Sequence, residues 1–186
     1  FNNLAIFIAL VAVYGYLIVL LKHTIWYKRQ LLVGLVFGMF AICCMYAKIP
    51  VFEGVIVDQR NAIISLSGFF GGPLAAYLSA AFAGLFRLYL GGQGVLAGVI
   101  GVTLAATSGV VLSRGHQPFG SVPKAARSAF LATLIILPGF LFVKDFETGL
   151  ALLESMAGPY GLAIFLGIFI AGLLLHREDN KVELSQ

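Results

Sequence analysis

Two arginines raise the first chemical question. Arg60 and Arg87 stand in "VDQRNAIISLSGFFGGPLAAYLSAAFAGLFRLYLGGQG", residues 57–94, a stretch otherwise apolar enough for a lipid bilayer. A guanidinium is expensive inside a membrane and must face a partner or a water-filled cavity. Arginine presents paired donors in a planar fork, which matches a carboxylate or a phosphate. Two forks held by different helices make a clamp for a small anion. Asp58, Asn61 and Gln93 flank them in the chain, and Gly98 and Gly101 follow on the next apolar segment. Arg60, Arg87, Asn61, Gln93, Asp58, Gly98 and Gly101 are therefore the candidate ligand-binding residues, with Tyr89 as a further polar neighbour at a helix end. The competing reading is that Asp58 or Glu53, from the preceding loop, neutralises the arginines and no ligand is needed.

The elements that must position this set are helices. A membrane span takes about 20 mostly apolar residues, and residues 3–21, 31–47, 125–143 and 150–175 qualify. Three shorter pieces lie between the second and third of these, at about 59–71, 73–90 and 94–113. Gly71-Gly72-Pro73 and "GGQG" at 91–94 separate them, with Pro73 suited to the first turn of a helix. The stretch "AKIPVFEGVIVD" reads as an extended or hairpin-like external loop.

With the Gly-Gly-Pro turn as a common floor and about 1.5 Å of rise per residue, Arg60 lies roughly 16 Å above the turn and Arg87 roughly 21 Å. The two guanidiniums are thus expected at similar depth on neighbouring antiparallel helices. Pro73, Ala76, Ala80, Ala83 and Gly84 lead to Arg87 in steps of three and four. Such small-residue stripes are where membrane helices approach each other, so Arg87 should point inward. Arg60, Ile64, Ser67 and Gly71 share a face of the preceding helix, and Asn61, Ser65, Gly68 and Gly72 the adjoining one. Gly94, Gly98, Gly101 and Ala105 repeat this spacing on the next helix, and the three smooth faces leave room for backbone contact or for a ligand.

Composition sets the class. Of 186 residues, 60% are hydrophobic and only 11% charged, where a soluble domain keeps about a quarter charged. The expected fold is an all-α membrane protein, a polytopic bundle of about seven membrane helices that includes short helices broken at Gly-Gly-Pro and Gly-Gly. Lys22, Lys28, Arg29, Arg114, Lys124, Arg127, Arg177 and Lys181, eight of the twelve basic residues, fall on one face. Only Lys48 and Lys144 fall on the other, beside Glu53, Asp58, Asp145, Glu147 and Glu154. The basic face is expected to be cytoplasmic, which puts the N-terminus outside and the C-terminus inside. Three short crossings between residues 47 and 114 satisfy this, and a re-entrant hairpin at 59–90 with one crossing is the alternative. Phe1 is not expected to be the natural start, and no signal-peptide pattern is visible. Adjacent Cys43 and Cys44 cannot easily bridge and read as small buried hydrophobes.

Several chemistries are disfavoured. No catalytic residues are assigned, because His23, His116 and His176 all fall at cytoplasmic helix ends, away from any helix interior. A metal site or haem needs ligands on facing helices, so no metal and no cofactor is expected. The glycine-rich runs lack the Gly-Lys-Ser/Thr of a phosphate loop. The net charge of +4 follows from topology, which argues against a nucleic-acid partner.

The ordered set Gly54, Asp58, Arg60, Gly71, Gly72, Pro73, Phe86, Arg87, Gly91 and Gly92 resembles the LytS/YhcK-type five-transmembrane receptor module. The likeness covers about residues 30–175. It implies an N-terminal sensor of bacterial histidine kinases or diguanylate cyclases, with a small-ligand site near the two arginines; some kinase members are pyruvate receptors. The resemblance also implies a homodimer, for which the Gly34/Gly38 spacing is one candidate contact. The expected organisation is a sensor domain over 1–175. Residues 176–186, "HREDNKVELSQ", would begin a signalling linker to a cytoplasmic effector domain in the same chain. The expected function is reception of a small anionic, carboxylate-type metabolite from the outer side of the bacterial cytoplasmic membrane, without enzyme activity in this part. The rival is a transporter or substrate-capture subunit for a small organic acid, because broken helices around a midplane site are also a transporter trait.

Overall fold

Glycine and proline divide the apolar chain into its helices. A computed structural model describes residues 2–47, 49–52, 55–114 and 117–184. Its order is α1 (Asn2–Leu20), α2 (Trp26–Tyr46), β1 (Ile49–Phe52), β2 (Val55–Val57), α3 (Arg60–Gly71), α4 (Pro73–Leu90), α5 (Val95–Ser113), α6 (Val122–Ile136) and α7 (Phe146–Leu184). A 3₁₀ segment, Leu137–Phe142, extends α6. The all-α membrane bundle is therefore the fold, with seven helices among the described residues. β1 and β2 pair antiparallel, Ile49 opposite Val57 and Pro50 opposite Ile56, so the expected hairpin forms. Glu53 and Gly54 lie outside the described residues.

Both breakers use the left-handed backbone region open to glycine. Gly72 at φ +86° ends α3 and starts α4, with Pro73 in the first turn of α4. Gly91 at φ +66° and Gly92 at φ +94° end α4. Gln30 Oε1, near the start of α2, accepts the Leu74 N–H at 3.0 Å and satisfies one of the open donors at the head of α4.

Five segments are long and apolar enough to cross a membrane: α2, α4, α5, α6 with its 3₁₀ extension, and α7. α3 is different. Its 12 residues reach only about 18 Å, short of a hydrocarbon core of about 30 Å. Every residue from Arg60 to Ser67, and Gly68 after them, is buried, because α2, α4, α5 and α7 enclose the helix. A helix that never meets lipid can carry an arginine, an asparagine and two serines, provided its neighbours satisfy them.

The neighbours do so by coming close. Ser65 and Ser108 hydroxyls are 2.9 Å apart, joining α3 to α5, and Ser67 and Ser79 are 2.7 Å apart, joining α3 to α4. A methyl on Gly68 would lie 2.8 Å from the Gly109 carbonyl carbon, so the two backbones are in contact. The small stripe of α4 is buried as expected, at Ala76, Ala80, Ala83, Gly84 and Arg87. Gly34 and Gly38 correct one expectation. They pack on Ala75 and on Ser79 and Phe82 of α4, so close packing inside one chain uses the spacing that had been a candidate dimer contact.

α1 and α7 run parallel, with Tyr14 beside Asp179 and Phe7 beside Gly167. α7 starts four residues before its expected boundary, passes through Pro159 and continues to Leu184. Its charged last turns lie along α1, where the Tyr14 hydroxyl donates to Asp179 Oδ1 at 2.9 Å and Arg29 of α2 comes within 3.8 Å of the same oxygen. Phe119, from the loop after α5, is buried against Phe69, Phe70 and Gly172.

Candidate ligand site

Asp58 precedes α3, and both of its oxygens turn toward the first residue of that helix. Oδ1 accepts the Arg60 backbone N–H at 2.9 Å, and Oδ2 accepts Arg60 Nη1 at 3.1 Å. One carboxylate thus caps the helix and balances the guanidinium, with Asp58 and Arg60 each 5% exposed. The competing expectation therefore holds for Arg60, since Asp58 is its ion-pair partner.

That pairing uses only one corner of the fork. Arg60 Nε is buried and has no hydrogen-bond partner among the described residues. Nη2 lies 3.1 Å from where a Cβ on Gly98 would stand. Arg87, 1% exposed, arrives at the same glycine from α4, its Cγ 2.8 Å and its Nε 3.0 Å from that position. The two cations therefore meet over the bare backbone of α5, as their heights along the chain require. Arg87 Nη1 also donates to the Gly91 carbonyl at 2.6 Å, which ties the side chain to the end of its own helix.

Next to Arg60, Asn61 faces α5 and α7. Its Nδ2 donates to the Tyr160 hydroxyl at 3.0 Å, and a methyl on Gly101 would lie 3.3 Å from the same nitrogen. Asn61 Oδ1 is buried without a hydrogen-bond partner among the described residues. Arg60 and Asn61 line a cavity of about 40 Å³ whose wall includes Gly98, Gly101, Gly139 and Tyr160. One water needs about 10–15 Å³ by this measure, so the space takes about three waters or one small guest of similar bulk. The room expected beside Gly98 and Gly101 for a ligand is taken up in part by the arginine side chains and by Gly139, where a methyl would stand 3.3 Å from Gly101 Cα.

Of the seven candidate residues, Arg60, Asn61, Gly98 and Gly101 form the wall, Asp58 and Arg87 stand immediately behind it, and Gln93 does not join them. Gln93 is exposed in the turn before α5, and Tyr89 is 83% exposed on the bundle surface.

The model of the family described as "5TMR of 5TMR-LYT" matches residues 13–178. The chain belongs to the 5TMR-LYT family. Two strains of Staphylococcus epidermidis carry a sensor protein LytS that is 27% identical over 184 residues, covering 84% of this chain and 30% of the relative. Sensor protein LytS of Staphylococcus haemolyticus is 24% identical over 212 aligned positions, covering 95% of this chain and 36% of the relative. The chain spans about a third of the length of these curated relatives. No solved structure is a significant match. As a 5TMR-LYT module the chain is a transmembrane sensor domain, a multi-pass component of the bacterial cytoplasmic membrane. The match begins within α1, earlier than the 30–175 expected from the motif residues.

Several wall residues of this 5TMR-LYT chain went unnoticed in the sequence, Tyr160 and Gly139 among them. Tyr160 is one tyrosine in a long apolar run, and only the packing of α7 on α3 brings it to Asn61. Gly139 sits behind Pro138 in a segment expected to be plain helix, and the 3₁₀ turn is what moves it against α5. The Pro138-Gly139 pair was the available signal for that departure.

Proposed function

We propose that this sensor domain binds a small carboxylate at the Arg60–Asn61 cavity. The observation that carries the reading is Arg60 Nε, buried without a hydrogen-bond partner among the described residues on a side chain that lines the cavity, while Nη1 is held by Asp58. A carboxylate accepts from that donor in a charge-assisted hydrogen bond. Arg87 adds a second positive charge at Gly98 and makes the site favour anions as a class.

The ligand enters from the outer side. Support comes from the distribution of bases. The cavity lies at the end of the bundle that holds the β-hairpin and the acidic residues Asp145, Glu147 and Glu154. The eight-base loops and tail lie at the opposite end. Binding draws α3 and α4 together through the two arginines. α7, which contributes Tyr160 to the same cavity, passes the change to its charged last turns. Residues 1–175 act as the receptor and 176–186 as the linker to a cytoplasmic histidine kinase or diguanylate cyclase domain. A ligand shifts such an equilibrium only by its difference in affinity for the two packings.

The test is a thermal-shift screen of short carboxylates on the purified chain, wild type beside Arg60→Lys and Arg87→Ala. Stabilisation by at least one acid in the wild type, reduced in both variants, is the expected result. Equal stabilisation in all three proteins refutes the site. Native mass spectrometry of the untreated protein checks for a co-purified acid.

A further inference from the structure

The cavity wall makes two demands, and a bare carboxylate meets only one. Arg60 Nε is a buried donor without an acceptor, and Asn61 Oδ1 is a buried acceptor without a donor among the described residues. Both side chains are more than nine-tenths buried, and both line the cavity. The amide nitrogen of Asn61 is already committed to the Tyr160 hydroxyl at 3.0 Å. A carboxylate oxygen facing Asn61 Oδ1 would oppose lone pair to lone pair, and a buried acceptor left unpaired is costly. The guest must therefore bring a hydrogen-bond donor beside its anionic group.

Charge and shape narrow that donor. An ammonium group would add a third cation to the Arg60 and Arg87 guanidiniums, while a hydroxyl carries no such penalty. Ala97, Ile136, Phe140 and Val143 form the apolar part of the wall. A second carboxylate there would be buried unpaired, whereas a short alkyl group is at home. The volume of about 40 Å³ excludes a long chain. Arg60 and Asn61 share one cavity of only about 40 Å³, so acid and donor must be close in the guest, and the most compact guest carries them on adjacent carbons.

On the carboxylate reading above, we infer that the ligand class is a short-chain 2-hydroxy monocarboxylate. Its carboxylate takes the Nε edge of Arg60, its hydroxyl donates to Asn61 Oδ1, and its alkyl end lies against Ile136 and Val143.

Titration calorimetry of the purified chain with three acids that differ only at the second carbon tests this: propanoate, 2-oxopropanoate and 2-hydroxypropanoate. The hydroxy acid is expected to bind about tenfold or more tightly than either of the others. In Asn61→Ala that ratio should fall to within about twofold, because the acceptor is gone. Equal or tighter binding of the oxo acid overturns the inference and leaves the carboxylate site standing, with the Asn61 amide turned to present its nitrogen. Binding of other carboxylates but none of these three overturns it as well. Silence from every carboxylate removes the underlying reading and this inference together.

Discussion

A methyl group added at Gly98 would stand 2.8 Å from Arg87 Cγ and 3.1 Å from Arg60 Nη2, inside the van der Waals surface of both side chains. Gly98→Ala is therefore expected to displace the guanidiniums from each other and from the cavity. The apo protein should lose about 1–3 kcal/mol of stability from overpacking. Carboxylate affinity should fall about tenfold or more, since a small misplacement of a positioning group is costly. A melting curve and a calorimetric titration check the two effects separately. Residue spacing made the meeting of Arg60 and Arg87 legible, because a fixed rise per residue converts distance from a common turn into depth. It also marked Gly98 and Gly101 as a smooth face. Spacing along one helix does not reveal how neighbouring helices are rotated about their axes, and that rotation alone brings Tyr160 to Asn61. The ion pair of Arg60 with Asp58 was legible too, being a contact two residues apart.

Among the elements, α3 depends most on its neighbours. A Cβ at Gly109 would collide with the Ser65 carbonyl oxygen and lie 3.0 Å from Gly68 Cα. Gly109→Ala must force α5 off α3 and is expected to destabilise by at least the ~1–3 kcal/mol of core overpacking. Because α3 carries Arg60 and Asn61, the same variant should weaken ligand binding without touching the cavity, which thermal melting with and without ligand will show. The last turns of α7 make a second case. Tyr14→Phe removes the hydroxyl that donates to Asp179, at a cost of about 1–2 kcal/mol for a hydrogen bond to a charged group. Hydrogen–deuterium exchange should rise over 176–184 and stay unchanged at 60–68. The sequence made the number and order of helices legible because Gly-Gly-Pro and Gly-Gly interrupt hydropathy so sharply. It did not reveal that α3 is enclosed, since a short helix with serines reads equally as a loop-side half-span. That the last turns of α7 lie along α1 was also hidden, because "HREDNKVEL" is polar enough to suggest departure from the bundle.

For the molecule as a whole, exposed aromatic residues mark two levels. Tyr16, Trp26 and Tyr27 stand at one end and Tyr46, Tyr89 and Phe146 at the other. Along α2, Tyr27 and Tyr46 are separated by about 28 Å, close to the thickness of a hydrocarbon core. Orientation across the bilayer is tested in a cysteine-free background, with Cys43 and Cys44 replaced. Gln93→Cys, in the turn after α4, should react with an impermeant reagent in intact cells, and Gln117→Cys, in the loop after α5, only after permeabilisation. Both positions are exposed. The sorting of bases was read from their places in the loops, while the two aromatic levels went unread in the sequence. One consequence follows from the course of α7. Pro159 has no N–H for the carbonyl of Ser155, so the rod loses a rung one residue before Tyr160. From Tyr160 onward the helix continues through Asp179 without another proline, for about 28 Å. Compliance is thus concentrated where α7 touches the cavity, and stiffness follows downstream. A tilt introduced at that soft joint would travel like the swing of a tiller, with its largest sweep at the far end, where Tyr14 and Arg29 grip it.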